Sequence, residues 1–354
     1  MANTKQKPTI ILDNGTIAPC LEPVVVSASR STDIPAFYCD WFFHRLKVGY
    51  SAWTNPFNGV KMYVSYAKTR FIVFWSKNPY PMLKYLDKLQ EKNIGCYIQY
   101  SLNDYEKEGL EKGVPPLYFR INTFKQLVTK LGKGYVVWRF DPMVLTDNIS
   151  LADLIDKVRN IGDQLKEYTE KMVFSFADIL SYRKVKANLD KVGIKYIEWS
   201  ESLMEEFASR LSVMNKERGW NFTLATCGEK IDLSKYGILH NKCVDDDLII
   251  RLAYNDSELM KYLNVEIHKR GENLFDIEPC DSVNINEQYY AIKKQKKNKD
   301  GGQRPFCKCI DSKDIGQYNT CPHLCEYCYA NTSKELAIAN YKKHMLNPQK
   351  ESIV

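Results

Sequence analysis

Long apolar runs are missing from these 354 residues, and none approaches the roughly 20 needed for a bilayer-spanning helix. The opening Met1-Ala-Asn-Thr-Lys-Gln-Lys-Pro carries no apolar stretch of the kind a secretory signal needs. The expectation is a soluble, cytoplasmic chain with no membrane association, in which the Asn14-Gly-Thr sequon has no meaning. Histidine is scarce, with five scattered residues, and no Ser-His-Asp arrangement is suggested. Internal repeats are absent. Charge of one sign is in short supply as well. Fifty Lys and Arg against 43 Asp and Glu leave +7, which permits an anionic partner such as nucleic acid without requiring one. With 44% hydrophobic and 26% charged residues, the composition excludes a wholly disordered or fibrous chain.

Cysteine, by contrast, is plentiful. There are 11, and Cys307, Cys309, Cys321, Cys325 and Cys328 fall close together. An odd, clustered set in a chain without an export signal argues against a disulfide framework and for thiolates held by metal.

The body alternates between strand-like and helix-like stretches. Strands are expected over 24–28, 71–75, 96–100, 135–140, 172–176 and 221–225, with another near 62–65. Amphipathic helices are expected over 81–91, 123–131, 150–165 and 200–218, capped by Asn148 or Ser150 and by Ser200. Six strands with intervening helices imply a parallel sheet, because parallel neighbours need crossover connections. The expected fold is α/β, a partial (β/α)6 TIM-like barrel over residues 1–230 with a cysteine-rich extension, 231–354, packed over its mouth. A doubly wound open sheet is the alternative. Residues 229–290 show no clear period. The lysine-rich segment 293–302 reads as a solvated loop, with a nucleic-acid arm as the second reading. A last helix is expected from Thr332, where Thr332-Ser-Lys-Glu335 is a capping box, with Lys342, Lys343 and His344 complementing its C-terminal dipole.

The central motif is Cys321-Pro-His-Leu-Cys325-Glu-Tyr-Cys328. Three closely spaced thiolates can hold three corners of a [4Fe–4S] cluster and leave one iron open. A structural zinc site, completed by Cys307 and Cys309, is the competing reading. His323, inside the loop, is expected to support the site or face solvent rather than ligate. Cys227, Cys243, Cys307 and Cys309 form a candidate second set of four thiolates. They would hold either an auxiliary [4Fe–4S] cluster or zinc, with iron–sulfur preferred and Cys280 as the substitute ligand. Cys20, Cys39, Cys96 and, unless it serves as that substitute, Cys280 read as buried small hydrophobes.

Polar groups at strand ends supply the substrate candidates. Val137, Arg139 and Asp141 share one strand face, which makes Arg139 and Asp141 a charged pair near the mouth. Arg30 and Asp33 lie just beyond the first strand. Asp178, Asn103 and Tyr182 are further possibilities. A structural ring of ion pairs between loops explains the same residues.

The triplet, with Tyr327 just before its third cysteine, resembles that of the radical S-adenosylmethionine (SAM) enzymes. That resemblance implies that Cys321, Cys325 and Cys328 hold a cluster whose open iron binds SAM. It further implies reductive cleavage of SAM to a 5′-deoxyadenosyl radical, and a flavodoxin- or ferredoxin-type reductant. The wider chain resembles the DUF1848 proteins in Ser27-Ala-Ser-Arg-Ser-Thr-Asp-Ile-Pro35, Asn55-Pro-Phe-Asn58, Phe74-Trp-Ser-Lys-Asn-Pro79, Trp138-Arg-Phe-Asp-Pro142 and Asp314-Ile-Gly-Gln-Tyr-Asn-Thr-Cys-Pro322. Two departures stand out. The triplet comes late in the chain, not after the first strand, so the cluster is carried by a C-terminal extension or the fold is permuted. The Gly-Gly-Glu stretch that meets the SAM amino group is absent, and Ser76, Lys77 and Asn78 are the positional candidates for its role. The reading is a radical SAM enzyme acting on a nucleic acid, a nucleotide, a peptide or a small metabolite. The alternatives are a non-catalytic zinc protein that binds nucleic acid, and an iron–sulfur redox carrier or sensor.

Overall fold

The structure is a computed structural model that describes residues 8–55, 58–271, 278–294 and 299–354. Its centre is an eight-stranded, all-parallel sheet. In chain order the strands are β1 (Val25–Ala28), β2 (Phe71–Ser76), β3 (Gly95–Ser101), β4 (Val136–Met143), β5 (Lys171–Phe176), β6 (Thr223–Thr226), β7 (Leu239–His240) and β8 (Lys313–Asp314). Across the sheet the order is β7-β6-β5-β4-β3-β2-β1-β8, and every pairing is parallel. The order from β1 to β7 never reverses, so the doubly wound alternative, which needs a reversal, does not describe this sheet. Both edge strands come from beyond residue 230.

These strands are apolar almost without interruption because both faces of the sheet are covered. One face presents Ile72, Phe74, Ile98, Trp138, Phe140, Met172 and Phe174 to helices α1 (Ile34–Phe37), α2 (Cys39–Val48), α3 (Leu86–Glu91), α4 (Leu117–Leu131), α5 (Leu151–Leu165), α6 (Arg183–Lys191) and α7 (Glu201–Glu217). On α5 the stripe Leu154, Val158, Ile161 and Leu165 is fully buried, each such side chain contributing about 1.5–3 kcal/mol. The opposite face presents Val25, Phe71, Val73, Tyr97, Val137 and Val173 to α8 (Asp246–Ala253), α9 (Ser257–Leu263) and a three-stranded antiparallel sheet of Val265–Lys269, Tyr289–Lys293 and Val283–Asn284. The 229–290 region, patternless in sequence, thus contains two capped helices and a sheet. Their short lengths hide any period.

Ser150 caps α5 through a reciprocal box with Asp153, and Ser200 caps α7. Elsewhere the expectations need correction. Residues Lys61–Ser65 do form a strand, but in a separate four-stranded sheet with Thr9–Ile11, Ile17–Leu21 and Tyr50–Thr54. The alternating exposure of Ile17–Leu21 suits a sheet open to water on one side. The stretch before α3 is a 3-10 helix over Tyr80–Tyr85, and α4 starts six residues before the expected Thr123. The last helix, α10 (Lys334–Leu346), is capped by Ser333, whose hydroxyl accepts from Leu336 N, while the Thr332 N–H is taken by the Asn319 side chain. His344 is buried with its Nδ1 2.8 Å from Ile353 O, which makes it a packing residue. Of the lysine-rich segment, residues 295–298 lie outside the described residues. Lys293 pairs with Asp246 and Asp247, and Lys294 pairs with Glu266. None of the described helices is long and apolar enough to cross a membrane.

Candidate metal centre

The loop after β1 and the segment that forms β8 meet at Asp314. Its carboxylate accepts from Ser27 Oγ (3.1 Å), Ser29 Oγ (2.9 Å), Arg30 N (2.8 Å) and Gly316 N (2.9 Å). Gly316 is required here, because a Cβ would fall 1.7 Å from Ser29 Oγ. Two of the sequence stretches most characteristic of the chain are therefore one structural joint, and it sets where the cysteine loop begins.

The loop carrying Cys321, Cys325 and Cys328 is tied down along its length. Tyr38 Oη donates to Thr320 O at 2.5 Å, Gly113 N to His323 O at 2.9 Å and Glu326 N to Leu110 O at 2.9 Å. Asn331 Nδ2 donates to Cys321 O at 2.8 Å. These bonds hold Leu324 at φ 56°, a left-handed conformation that a bulky residue avoids without such support. Cys325 feels the charge of both Cys321 and Cys328, and Cys321 that of Cys328, yet no hydrogen bond joins two sulfurs of the triplet. Burial pushes all three thiols above their ordinary range. Backbone N–H groups of His323 and Asp33 oppose this at Cys321, and those of Asn331 and Ala330 at Cys328.

His323 is buried with Nε2 2.8 Å from Asp33 Oδ2 and Nδ1 3.1 Å from Gly113 O. Both nitrogens are occupied, so His323 supports the loop and is not free to ligate. Asp33 is equally committed. It caps α1 and accepts from Ser76 Oγ (2.7 Å) and Lys77 N (2.7 Å). Lys77 reaches under the triplet, with Nζ 2.7 Å from Glu111 Oε1 and 2.9 Å from Tyr327 Oη. Burial pushes the Glu111 carboxyl up, but the Lys77 and Arg120 cations more than offset this and hold it at about 2. Asn78 keeps a buried Oδ1 with no partner.

Arg139 and Asp141 form an ion pair, and Asp141 also accepts from Ser175. Arg139 continues to Gln99 Oε1 (3.2 Å) and Cys243 Sγ (3.1 Å). From Asp141 the network runs through Asn103, whose Nδ2 donates to Asp141 O (3.3 Å), Tyr327 Oη (3.0 Å) and Glu111 Oε1 (3.1 Å). A polar path thus joins Cys243 to the loop of the triplet. The Arg30 guanidinium lies 5.0 Å over the Trp75 ring and that of Arg139 lies 5.2 Å from the same ring. Arg30 Nη2 is buried without a partner. Tyr182 Oη accepts from Arg304 at 3.2 Å.

The second set assembles from three segments. Cys227 follows β6, Cys243 follows β7, and Cys307 and Cys309 precede β8. Cys227 and Cys243 touch at 3.2 Å. Hydrogen bonds from Cys227 and Cys309 pull the Cys243 thiol well below its ordinary range, and Cys227 and Cys309 are correspondingly pushed up. The hydrogen bond from Cys309 draws Cys307 down to about 6. Cys20, Cys39 and Cys96 are buried as expected, whereas Cys280, expected to be buried with them, is exposed.

Sequence reasoning passed over Glu111, Trp75 and Glu229. Glu229 accepts from Phe176 N at 2.9 Å, and burial raises its carboxyl to about 7. Nothing local marks Glu111 among the charged residues around it. Asp314 entered the sequence reading only as the first residue of one stretch resembling the family, and its turn with Gly316 N is seen only in the structure.

Parallel strands with cysteines, arginines and carboxylates gathered at their C-terminal ends define a cysteine-rich α/β protein with two thiol sets. The chain belongs to the DUF1848 family, a domain of unknown function whose model matches residues 25–330. No curated protein and no solved structure matches it.

Proposed function

We propose that the chain is a radical SAM enzyme in which Cys321, Cys325 and Cys328 hold a [4Fe–4S] cluster. The observation that carries this reading is the donor set. Three thiols, Cys325 buried and Cys321 and Cys328 half-buried, lie near one another without a hydrogen bond between them, and backbone N–H groups are aimed at two of them. Sulfurs spaced in this way leave room for irons and sulfides between them, and N–H donors favour thiolate over thiol. The unreversed parallel order supports a partial (β/α) barrel, whose strand C-termini are where active sites form.

When bound, the cluster supplies the electron for reductive cleavage of SAM, drawn from a flavodoxin- or ferredoxin-type reductant. The chain's own residues position and insulate the site. Asp33 and His323 fix the loop. Lys77 holds Tyr327 and Glu111 beside Cys325 with its charge fully paired. Asn78 Oδ1, buried and unpartnered, is a candidate acceptor for the SAM amino group. Arg30 and the Arg139–Asp141 pair stand where a substrate would enter. The substrate reading is a nucleotide or nucleic acid, supported by the net charge of +7 and by arginines at the strand ends.

Anaerobic reconstitution with iron and sulfide tests the assignment. The wild-type chain should take up about four irons at the triplet and cleave SAM under dithionite. SAM cleavage persisting in the Cys321→Ala/Cys325→Ala/Cys328→Ala variant overturns it. Absence of DNA or RNA binding at low salt, where phosphate contacts are strongest, removes the nucleic-acid reading.

A further inference from the structure

We propose that Cys227, Cys243, Cys307 and Cys309 form a second, structural metal centre that takes a single zinc ion. It shares no ligand with the triplet and does not depend on the chemistry proposed there.

The four sulfurs form a run of contacts. Cys227 meets Cys243 at 3.2 Å, Cys243 meets Cys309, and Cys309 meets Cys307. Zinc bonds of about 2.3 Å to four thiolates set sulfur–sulfur edges of about 3.8 Å. Neighbouring sulfurs of the run are already close to that length, but no three of the four lie within 4.8 Å of one another, so the outer sulfurs must close by about 1 Å or more to complete the tetrahedron. A cubane would instead have to drive the 3.2 Å contact of Cys227 and Cys243 apart to admit its irons and sulfides, a larger change than closing the run around one ion.

The surroundings point to thiolates. Cys243 Sγ accepts from Arg139 Nη1 and Asn241 Nδ2, each at 3.1 Å. Cys309 Sγ accepts from Cys243 N at 3.2 Å and Val244 N at 3.3 Å. A neutral thiol is a weak acceptor, and four N–H donors on two buried sulfurs are poorly used on it. On metal thiolates the same donors orient the ligands and stabilise their charge. Arg30 lies close enough to Cys309 and Cys243 to feel their charge, so two cations, the buried Arg139 and the half-buried Arg30, both against Trp75, face a centre that would carry two negative charges.

Four thiolates leave no open position, so the role is structural. The ion would fasten the ends of β6 and β7 to the segment that leads into β8. That segment continues to Asp314 and then to the triplet loop. Ile310 N already donates to Val244 O at 3.1 Å across this junction. The centre therefore anchors the part of the chain that delivers the other cysteines.

The intact chain, purified anaerobically and supplied with zinc, should hold about one zinc with four sulfur neighbours at about 2.3 Å by zinc-edge X-ray absorption. The zinc should persist when Cys321, Cys325 and Cys328 are all replaced by serine. It should fall at least about tenfold in Cys227→Ser/Cys243→Ser. If that variant does not fold, the wild-type spectrum decides alone. Nitrogen or oxygen ligation, no zinc uptake, about four irons retained in the triplet variant, or a Cys227–Cys243 disulfide in fresh protein would each overturn the proposal. Zinc present with no iron at the triplet removes only the radical SAM reading.

Discussion

The two cysteine sets sit at the strand ends of one sheet and are built in opposite ways. Cys321, Cys325 and Cys328 are near neighbours in sequence, yet their sulfurs do not touch, because the loop between them is pinned open by bonds to Tyr38, Leu110, Gly113 and Asn331. Cys227 and Cys243 lie far from Cys307 and Cys309 in sequence, yet these sulfurs are in contact. Sequence spacing fixed the backbone path of the first set. It said nothing of the sulfur spacing of the second, which depends on where β6, β7 and the approach to β8 come to rest. That difference in sulfur contacts is the ground on which we propose a cluster for the first set and a single ion for the second.

The strongest test of that contrast is removal of the triplet. Its triple alanine variant should lose iron and SAM cleavage by more than the roughly 10–100-fold typical of outer-shell changes, while zinc binding stays intact. Next is Gly113→Ala. Its Cβ would lie 2.6 Å from Pro322 O and 2.7 Å from His323 O, and backbone cannot give way cheaply. A loss of about 3 kcal/mol in denaturant titrations is expected, together with reduced iron and unchanged zinc.

Glu111 supports the triplet alone and gives a pH signature. Its carboxyl falls from an ordinary 4.5 to about 2 in the folded chain. Its contribution is therefore complete above pH 4.5 and is lost as pH falls toward 2. At most it amounts to about 2–3 kcal/mol. Glu111→Gln should flatten the acid limb of stability measured on the metal-free chain. An unchanged acid limb would contradict the pairing of Glu111 with Lys77 and Arg120.

Asp314 lies between the two sets, so its loss should touch both. Asp314→Asn keeps the shape but weakens charge-assisted bonds from three hydroxyls and two N–H groups, at a cost of about 2 kcal/mol. Both metal contents should drop modestly in elemental analysis. The smallest effect is reserved for a control remote from either set. Ser150→Ala removes the α5 cap for about 1 kcal/mol and should shift thermal unfolding without altering zinc or iron.

Much of the sheet was readable in advance. β1 to β6 announce themselves as dense apolar runs because both faces are buried, and the Ser150 and Ser200 caps follow from local hydrogen bonding. The Arg139–Asp141 pair was readable from period two alone. β7 and β8, two residues each, carry no signal of their own. They are strands only because a neighbouring edge offers free N–H and C=O groups. Thr332 and Ser333 are equally good caps on paper, and Asn319 decides between them by taking the Thr332 N–H.

The alternating strands and helices, the C-x3-C-x2-C triplet and the surplus of thiols are legible along the chain without its fold. These follow from periodicity and from donor atoms a few residues apart. Only the tertiary structure decided which distant cysteines touch, that Asp33 and His323 spend their polar atoms on the loop, and that Arg30 and Arg139 face the second set. Those outcomes depend on chain segments separated by up to about 290 residues meeting at one edge of the sheet. No local pattern encodes such a meeting.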